Sequence, residues 1–95
     1  MKVTEIQFAL NLKALSVPQC RRLVHVLISG SASPGELSKA CKLSPASIEK
    51  HLDILKDAGL VKVRKVNGEN RASLQIAKLK PTLAWFLQLK IKEDY

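Results

Sequence analysis

The 95-residue sequence predicts a mainly α-helical fold carrying one β-hairpin, in the order α-α-α-α-β-β-α. Three observations carry that expectation. Pro18, Pro34, Pro45 and Pro81 each stand just ahead of an apolar pattern with helical spacing, where a missing backbone N–H costs nothing in a helix's first turn. After Gly59 the period changes, and "LVKVRKV" and "RASLQIA" alternate apolar and polar residues as half-buried strands do. Between those two runs stands Asn67-Gly68, a strong hairpin signal. A chain of this length buries only ~60–65% of its extended surface, so one domain with one core, residues 1–95, is expected.

The elements follow in order from their end signals. A first helix at about 3–15 carries two apolar stripes, Val3, Ile6, Leu10 and Ala14 on one side and Phe8, Leu12 and Leu15 roughly opposite. A second helix, at about 18–29, stops at Gly30. Ser33-Pro34-Gly35-Glu36 reads as a capping box opening a short third helix at about 34–42. Ser44 caps the fourth, at about 45–58, and Gly59 suits the left-handed residue that closes it. The hairpin takes about 60–77, with Val61 and Val63 expected to face Leu74 and Ile76. In a last helix at about 81–93, Leu83, Ala84, Trp85, Phe86, Leu87, Leu89 and Ile91 sweep far beyond the ~100° stripe that an ordinary surface helix needs.

Formal charge is +8, from 16 Lys and Arg against 8 Asp and Glu. Such an excess points to a polyanionic partner and says nothing of fold. Nowhere do ~18 apolar residues run together, and Glu5 interrupts the start where a secretory signal needs an apolar core, so a cytoplasmic protein away from the membrane is expected. Cys20 and Cys41 stand alone instead of as a C-x-x-C pair, which reads as two small core residues. Cys20 opens the second helix beside Arg21 and Arg22, so a thiolate redox switch is the alternative there. His25 has no nucleophile, paired carboxylates or glycine-rich phosphate loop beside it, and catalysis is not expected.

On the fourth helix, Ile48, Leu52 and Leu55 share a narrow arc and leave Ala46, Ser47, Glu49, Lys50 and Asp53 outward. A helix that begins with small and polar residues after a tight turn is what reading the major groove requires, since short side chains let the backbone approach the base edges. The third helix and the turn Leu43-Ser44 supply its partner, making 34–58 a helix-turn-helix. An ordinary αα-hairpin with a solvated face is the plainer alternative. The hairpin shifts the balance, because Lys62, Arg64, Lys65 and Arg71 form a basic arm directly after the helix, suited to phosphates beside the groove. Together these elements define a winged helix-turn-helix.

The segment "GELSKACKLSPASIEKHLDILKDAGLVKVRKVNGENRASLQI" resembles the helix-turn-helix and wing of the ArsR/SmtB-type transcriptional regulators. The markers are Glu36-Leu37, Leu43-Ser44, His51-Leu52, Leu55, Ala58-Gly59-Leu60-Val61 and a charged hairpin with a glycine at its tip. Upstream, "LSVPQCRRLVHVL" is similar to the family's second helix, with Val17 where an aspartate usually precedes the proline. The resemblance implies a repressor that dimerises through its first and last helices, and the two stripes of the first helix and the broad arc of the last independently permit this. Ile6, Leu10, Leu83, Trp85, Phe86 and Leu89 are then the interface, unless Trp85 and Phe86 simply fill the monomer's core. Ser38 stands where the family's metal sensors carry the first cysteine of E-L-C-x-C, and the last helix has no histidine, so neither metal nor cofactor is expected.

The sequence therefore leads to a homodimeric regulator on double-stranded DNA, probing a near-palindromic operator. Ala46, Ser47, Glu49 and Lys50 are expected at base edges, and Lys39 and Lys42 at the backbone. Arg64, Lys65 and Arg71 reach phosphates through the wing. His51, at the edge of the buried stripe, either touches a phosphate or packs. Glu49 and Asp53 oppose phosphate, although a glutamate accepts from cytosine N4. With Asp57 they sustain a rival reading, a winged-helix protein-interaction module without specific DNA binding.

Overall fold

The computed structural model describes residues 3–88. Helices α1 (Val3–Leu15), α2 (Pro18–Leu27), α3 (Pro34–Cys41) and α4 (Pro45–Asp57) precede strands β1 (Val61–Val66) and β2 (Glu69–Leu74), and α5 (Ile76–Gln88) follows. The fold is a winged helix-turn-helix. Its local signals act as their chemistry requires. Ser33 Oγ accepts from the Glu36 N–H at 3.1 Å while the Ser33 N–H donates to Glu36 Oε1 at 2.8 Å, closing the capping box of α3. Ser44 Oγ accepts from the Ser47 N–H at 3.1 Å at the head of α4. Gly59, Asn67 and Gly68 have φ of 79°, 53° and 80°, the left-handed values of a helix stop and a two-residue hairpin turn.

Leu23, Leu37, Ile48, Leu55 and Leu60 are fully buried, so α2, α3, α4 and the entry to β1 share one core. Helix α1 lies to the side and packs against α5 and α2. Within α3–α4, Lys42 takes a left-handed φ of 54° and Ser38 Oγ donates to the Leu43 carbonyl at 2.5 Å. Ser38 thus ties down the turn that aims α4.

Two expectations about the C-terminal half need correction. Val61 pairs with Leu74 as expected, but Val63 pairs with Ala72, and Ile76 leaves the sheet to open α5 with its side chain exposed. The wing strands therefore cover 61–74 instead of 60–77. The last helix begins at Ile76 instead of at 81, with Pro81 inside it; its expected end at 93, with Leu89 and Ile91, lies outside the described residues. A proline there removes the N–H that would bond the Ala77 carbonyl and opens the ladder locally. One residue on, Asn11 Nδ2 donates to the Lys78 carbonyl at 2.7 Å and to Thr82 Oγ1 at 2.9 Å. Tertiary contact with α1 thus supports a helix that the proline alone would have delayed.

The wing is fastened to the helical body at its base. Ala32 and Ala72 exchange backbone hydrogen bonds of 3.0 and 2.7 Å. Beside them, Arg71 lies 3.1 Å from Glu36 Oε1 and 3.0 Å from Glu69 Oε1, and it donates to the Ser31 hydroxyl and carbonyl at 3.1 and 2.8 Å. The Ser33 backbone N–H first, and Arg71 second, hold the Glu36 carboxyl below the usual carboxylate range. A carboxyl lowered in the folded state stabilises above the pH where a free glutamate titrates, about 4.3, and ceases to do so as pH falls through its lowered value. Glu36→Gln is therefore expected to lower stability near neutrality and to match the parent chain in strong acid. Urea melts across pH check this; a gap that stays constant to low pH would contradict it.

Candidate nucleic-acid interface

Residues that begin α4 project from the body. Ala46, Glu49 and Lys50 are exposed and Ser47 is half-buried, while Ile48, Leu52 and Leu55 anchor the opposite side in the core. Lys39 and Lys42, on α3 and at its end, are exposed close in sequence to that start. Nothing of the described chain covers the first turn of α4.

His51 is only 8% exposed, which removes it from the base-reading face. Its Nδ1 lies 2.6 Å from the Ser47 carbonyl oxygen and 3.3 Å from Ser47 Oγ. A carbonyl oxygen only accepts, so Nδ1 carries the proton and donates. His51 is a packing residue that also orients Ser47. Its position at the margin of the stripe left both readings open in the sequence, and the depth of packing against α2 chooses between them: Cys20 Sγ lies 3.7 Å from the His51 carbonyl oxygen.

That contact also corrects the redox expectation. Cys20 is fully buried and Cys41 nearly so. Burial pushes the Cys20 thiol up; it pushes the Cys41 thiol up too, with Arg22 pulling down in part. A raised, enclosed thiol is the reverse of a reactive thiolate. The sequence showed the helix start and the arginines, but not that the side chain turns inward.

On the wing, Lys62, Arg64 and Lys65 are exposed. Alternation along β1 sends Arg64 to one face of the hairpin and Lys65 to the other. Arg71 is directly opposite Arg64 and shares its face. Two such cations would repel, but the carboxylates of Glu36 and Glu69 neutralise Arg71. Arg71 is therefore a strut between wing and α3, and the phosphate role expected of it passes to its neighbours. Between α4 and the wing runs a furrow of about 380 Å³ lined by Glu49, Leu52, Asp53, Val63 and Asn70 among others.

Away from the wing, α1 and α5 display apolar surface. Ile6, Leu10, Leu83, Trp85 and Phe86 are between 37% and 53% exposed. Trp85 contacts Phe8 at 5.3 Å and Phe86 at 5.1 Å between ring centroids. Leu89 lies outside the described residues. Two polar residues on α1 escaped the reading of the sequence. Gln7 Nε2 donates to Asn11 Oδ1 and to the Ala58 carbonyl, each at 2.8 Å, and Asn11 continues the chain of bonds to α5. Two amides at i and i+4 in an otherwise apolar helix were the available sign. Among the described residues, no three of His, Cys, Asp or Glu come together as metal ligands, and no helix is long and apolar enough to cross a membrane.

A helix-turn-helix with an uncovered second helix and a basic hairpin beside it defines a winged-helix DNA-binding protein. The comparisons agree. A family model described as "Helix-turn-helix domain" matches residues 15–64. The transcriptional repressor SdpR of Bacillus subtilis (strain 168) is 29% identical over 82 residues, which is 86% of this chain and 91% of its own. The crystal structure of a possible transcriptional regulator for arsenical resistance is 33% identical, with a TM-score of 0.72, covering 86% of this chain and 85% of its own. An ArsR-like transcriptional regulator from Rhodococcus sp. RHA1 reaches a TM-score of 0.80 at 27% identity, covering 96% of this chain and 86% of its own. The chain belongs to the ArsR family of transcriptional regulators, DNA-binding proteins and not a family of enzymes.

Proposed function

We propose that the protein is a homodimeric, sequence-specific repressor that covers a near-palindromic operator. The observation that carries the reading is the uncovered first turn of α4, held at a fixed angle by Ser38 and by the caps. Ala46, Ser47, Glu49 and Lys50 meet base edges in the major groove. Lys39 and Lys42 approach one stretch of backbone, and Arg64 and Lys65 hold phosphates through the wing. Exposed Ile6, Leu10, Leu83, Trp85 and Phe86 support pairing of α1 and α5 with a second copy, since a patch of that kind is a liability in water. A twofold then sets the two α4 helices ~34 Å apart, one turn of duplex. Such a protein works where the DNA is, in the cytoplasm.

Selection of bound fragments from a random DNA pool tests the reading directly. Recovery of an inverted repeat with half-sites one turn apart is expected; recovery of unrelated sequences would contradict it. The exposed acids Glu49, Asp53 and Asp57 favour one other reading, a module that binds a protein partner. No complex with any duplex at low salt would favour that module.

Within the proposed site, base and backbone contacts separate by their sequence dependence. Lys50→Ala is expected to cost ~1–3 kcal/mol on the selected operator and little on random duplex, whereas Arg64→Ala or Lys65→Ala weakens both alike and lowers the salt slope by about 1. Fluorescence anisotropy on the two duplexes measures this. Equal losses for Lys50→Ala on both would remove it from the bases.

A further inference from the structure

Helices α2 and α3 enclose an open groove of about 660 Å³ on the side of α4 away from the wing. Arg21, Arg22, His25 and Lys42 line it over a floor that includes Val26 and Ala40, and no carboxylate among the described residues does. Arg22 and Lys42 are exposed, and neither belongs to a salt bridge among the described residues. Arg21 donates to the Leu15 carbonyl at 2.7 Å through one of its nitrogens and keeps further donors. The guanidinium of Arg22 is close enough to Cys41 to act on its thiol, which places it over the α3 end of the groove.

The position of this cluster relative to α4 suggests its use. Lys42 stands two residues before Ser44, the cap of α4, and α2 touches α4 where Cys20 meets the His51 carbonyl. At 100° per residue, His51 lies on the flank of α4 roughly opposite Glu49 and Asp53, which border the wing furrow. Ala46 and Lys50 project between the two flanks. A helix seated in the major groove has a sugar–phosphate strand at each rim, ~12 Å apart across the groove. The wing is placed for one rim; the α2–α3 groove is placed for the other.

We propose that Arg22, with Arg21, His25 and Lys42, forms a second backbone clamp that takes phosphodiester oxygens on the rim opposite the wing. The proposal rests on the DNA-binding reading above and adds helix α2 to its surface. Arginine suits the task because its planar fork presents paired donors to phosphate oxygens.

The test compares the full chain with Arg22→Gln and Arg22→Lys by anisotropy, on the selected operator and on a random duplex of equal length, across a potassium chloride series. Arg22→Gln is expected to weaken both complexes about tenfold and to reduce the log–log salt slope by ~1.8 for a dimer, about 0.9 for each phosphate that is no longer neutralised. Arg22→Lys is expected to keep most of the affinity. Unchanged affinity and slope in Arg22→Gln, with the parent chain binding normally, would overturn the clamp and leave the regulator reading intact. A loss confined to the operator would overturn it as well, because phosphates carry no sequence. A lowered melting temperature in which Arg22→Lys shares would assign Arg22 a structural part instead. Failure of the parent chain to bind any duplex at low salt would take down both readings together.

Discussion

Trp85→Ser combined with Phe86→Ser is expected to yield a folded monomer whose operator affinity is at least about 100-fold below that of the parent chain. The two rings are 45% and 50% exposed, in line with Leu83 on α5 and with Ile6 and Leu10 on α1. In a monomer this surface orders water to no benefit; against a twin it is buried at roughly 25 cal/mol per Å². The effect on DNA follows from linkage. Two half-sites held in one particle act with an effective concentration that raises avidity by 10²–10⁴, and separating the protomers forfeits that factor without touching α4. Sedimentation equilibrium and anisotropy read the two quantities on one sample. Because Trp85 also packs against Phe8, Leu83→Glu serves as a second variant that leaves the rings in place. A dimer with unaltered affinity in both variants would refute the assignment of this face.

Asn11→Ala is expected to cost about 2–4 kcal/mol of stability, a large share of what a small domain possesses. Asn11 is fully buried and its amide joins three partners: it accepts from Gln7 and donates to the Lys78 carbonyl and to Thr82. Truncation leaves those groups unmatched in a site that water does not reach, and an unmatched buried group costs ~1–3 kcal/mol. It also loosens α1 from α5 where Pro81 has already opened the ladder. Urea denaturation gives the difference. Thr82→Val in the Asn11→Ala background should add less than it does alone, since its partner is already gone. Strict additivity would show that the network is not a unit.

The helical half was legible because its signals are local. Ser33 and Glu36, Ser44, Gly59 and the Asn67-Gly68 turn each act within a few residues, so their geometry follows from residue type alone. The start of α5 was not legible, because Pro81 is a start signal by the same local rules and a contact from α1, some seventy positions earlier in the chain, outweighs it. The candidate site divides along the same line. Which residues of α4 lie outward came from a 100° count, whereas the fates of His51, Cys20 and Arg71 depended on neighbours from α2, α3 and the loop before α3.

Residue order alone was enough for the winged architecture, for the cationic character and for the face that α4 turns to solvent, since caps, periodicity and charge are properties of short stretches. Three-dimensional packing assigned the work of individual polar side chains: Arg71 as a strut, Asn11 as a link between helices, Cys20 as an inert core group and Arg22 beside an open basic groove. The physical reason is range. A cap or a turn is satisfied by atoms a few bonds away, but a buried polar group takes its meaning from whichever distant partner folding brings within about 3 Å.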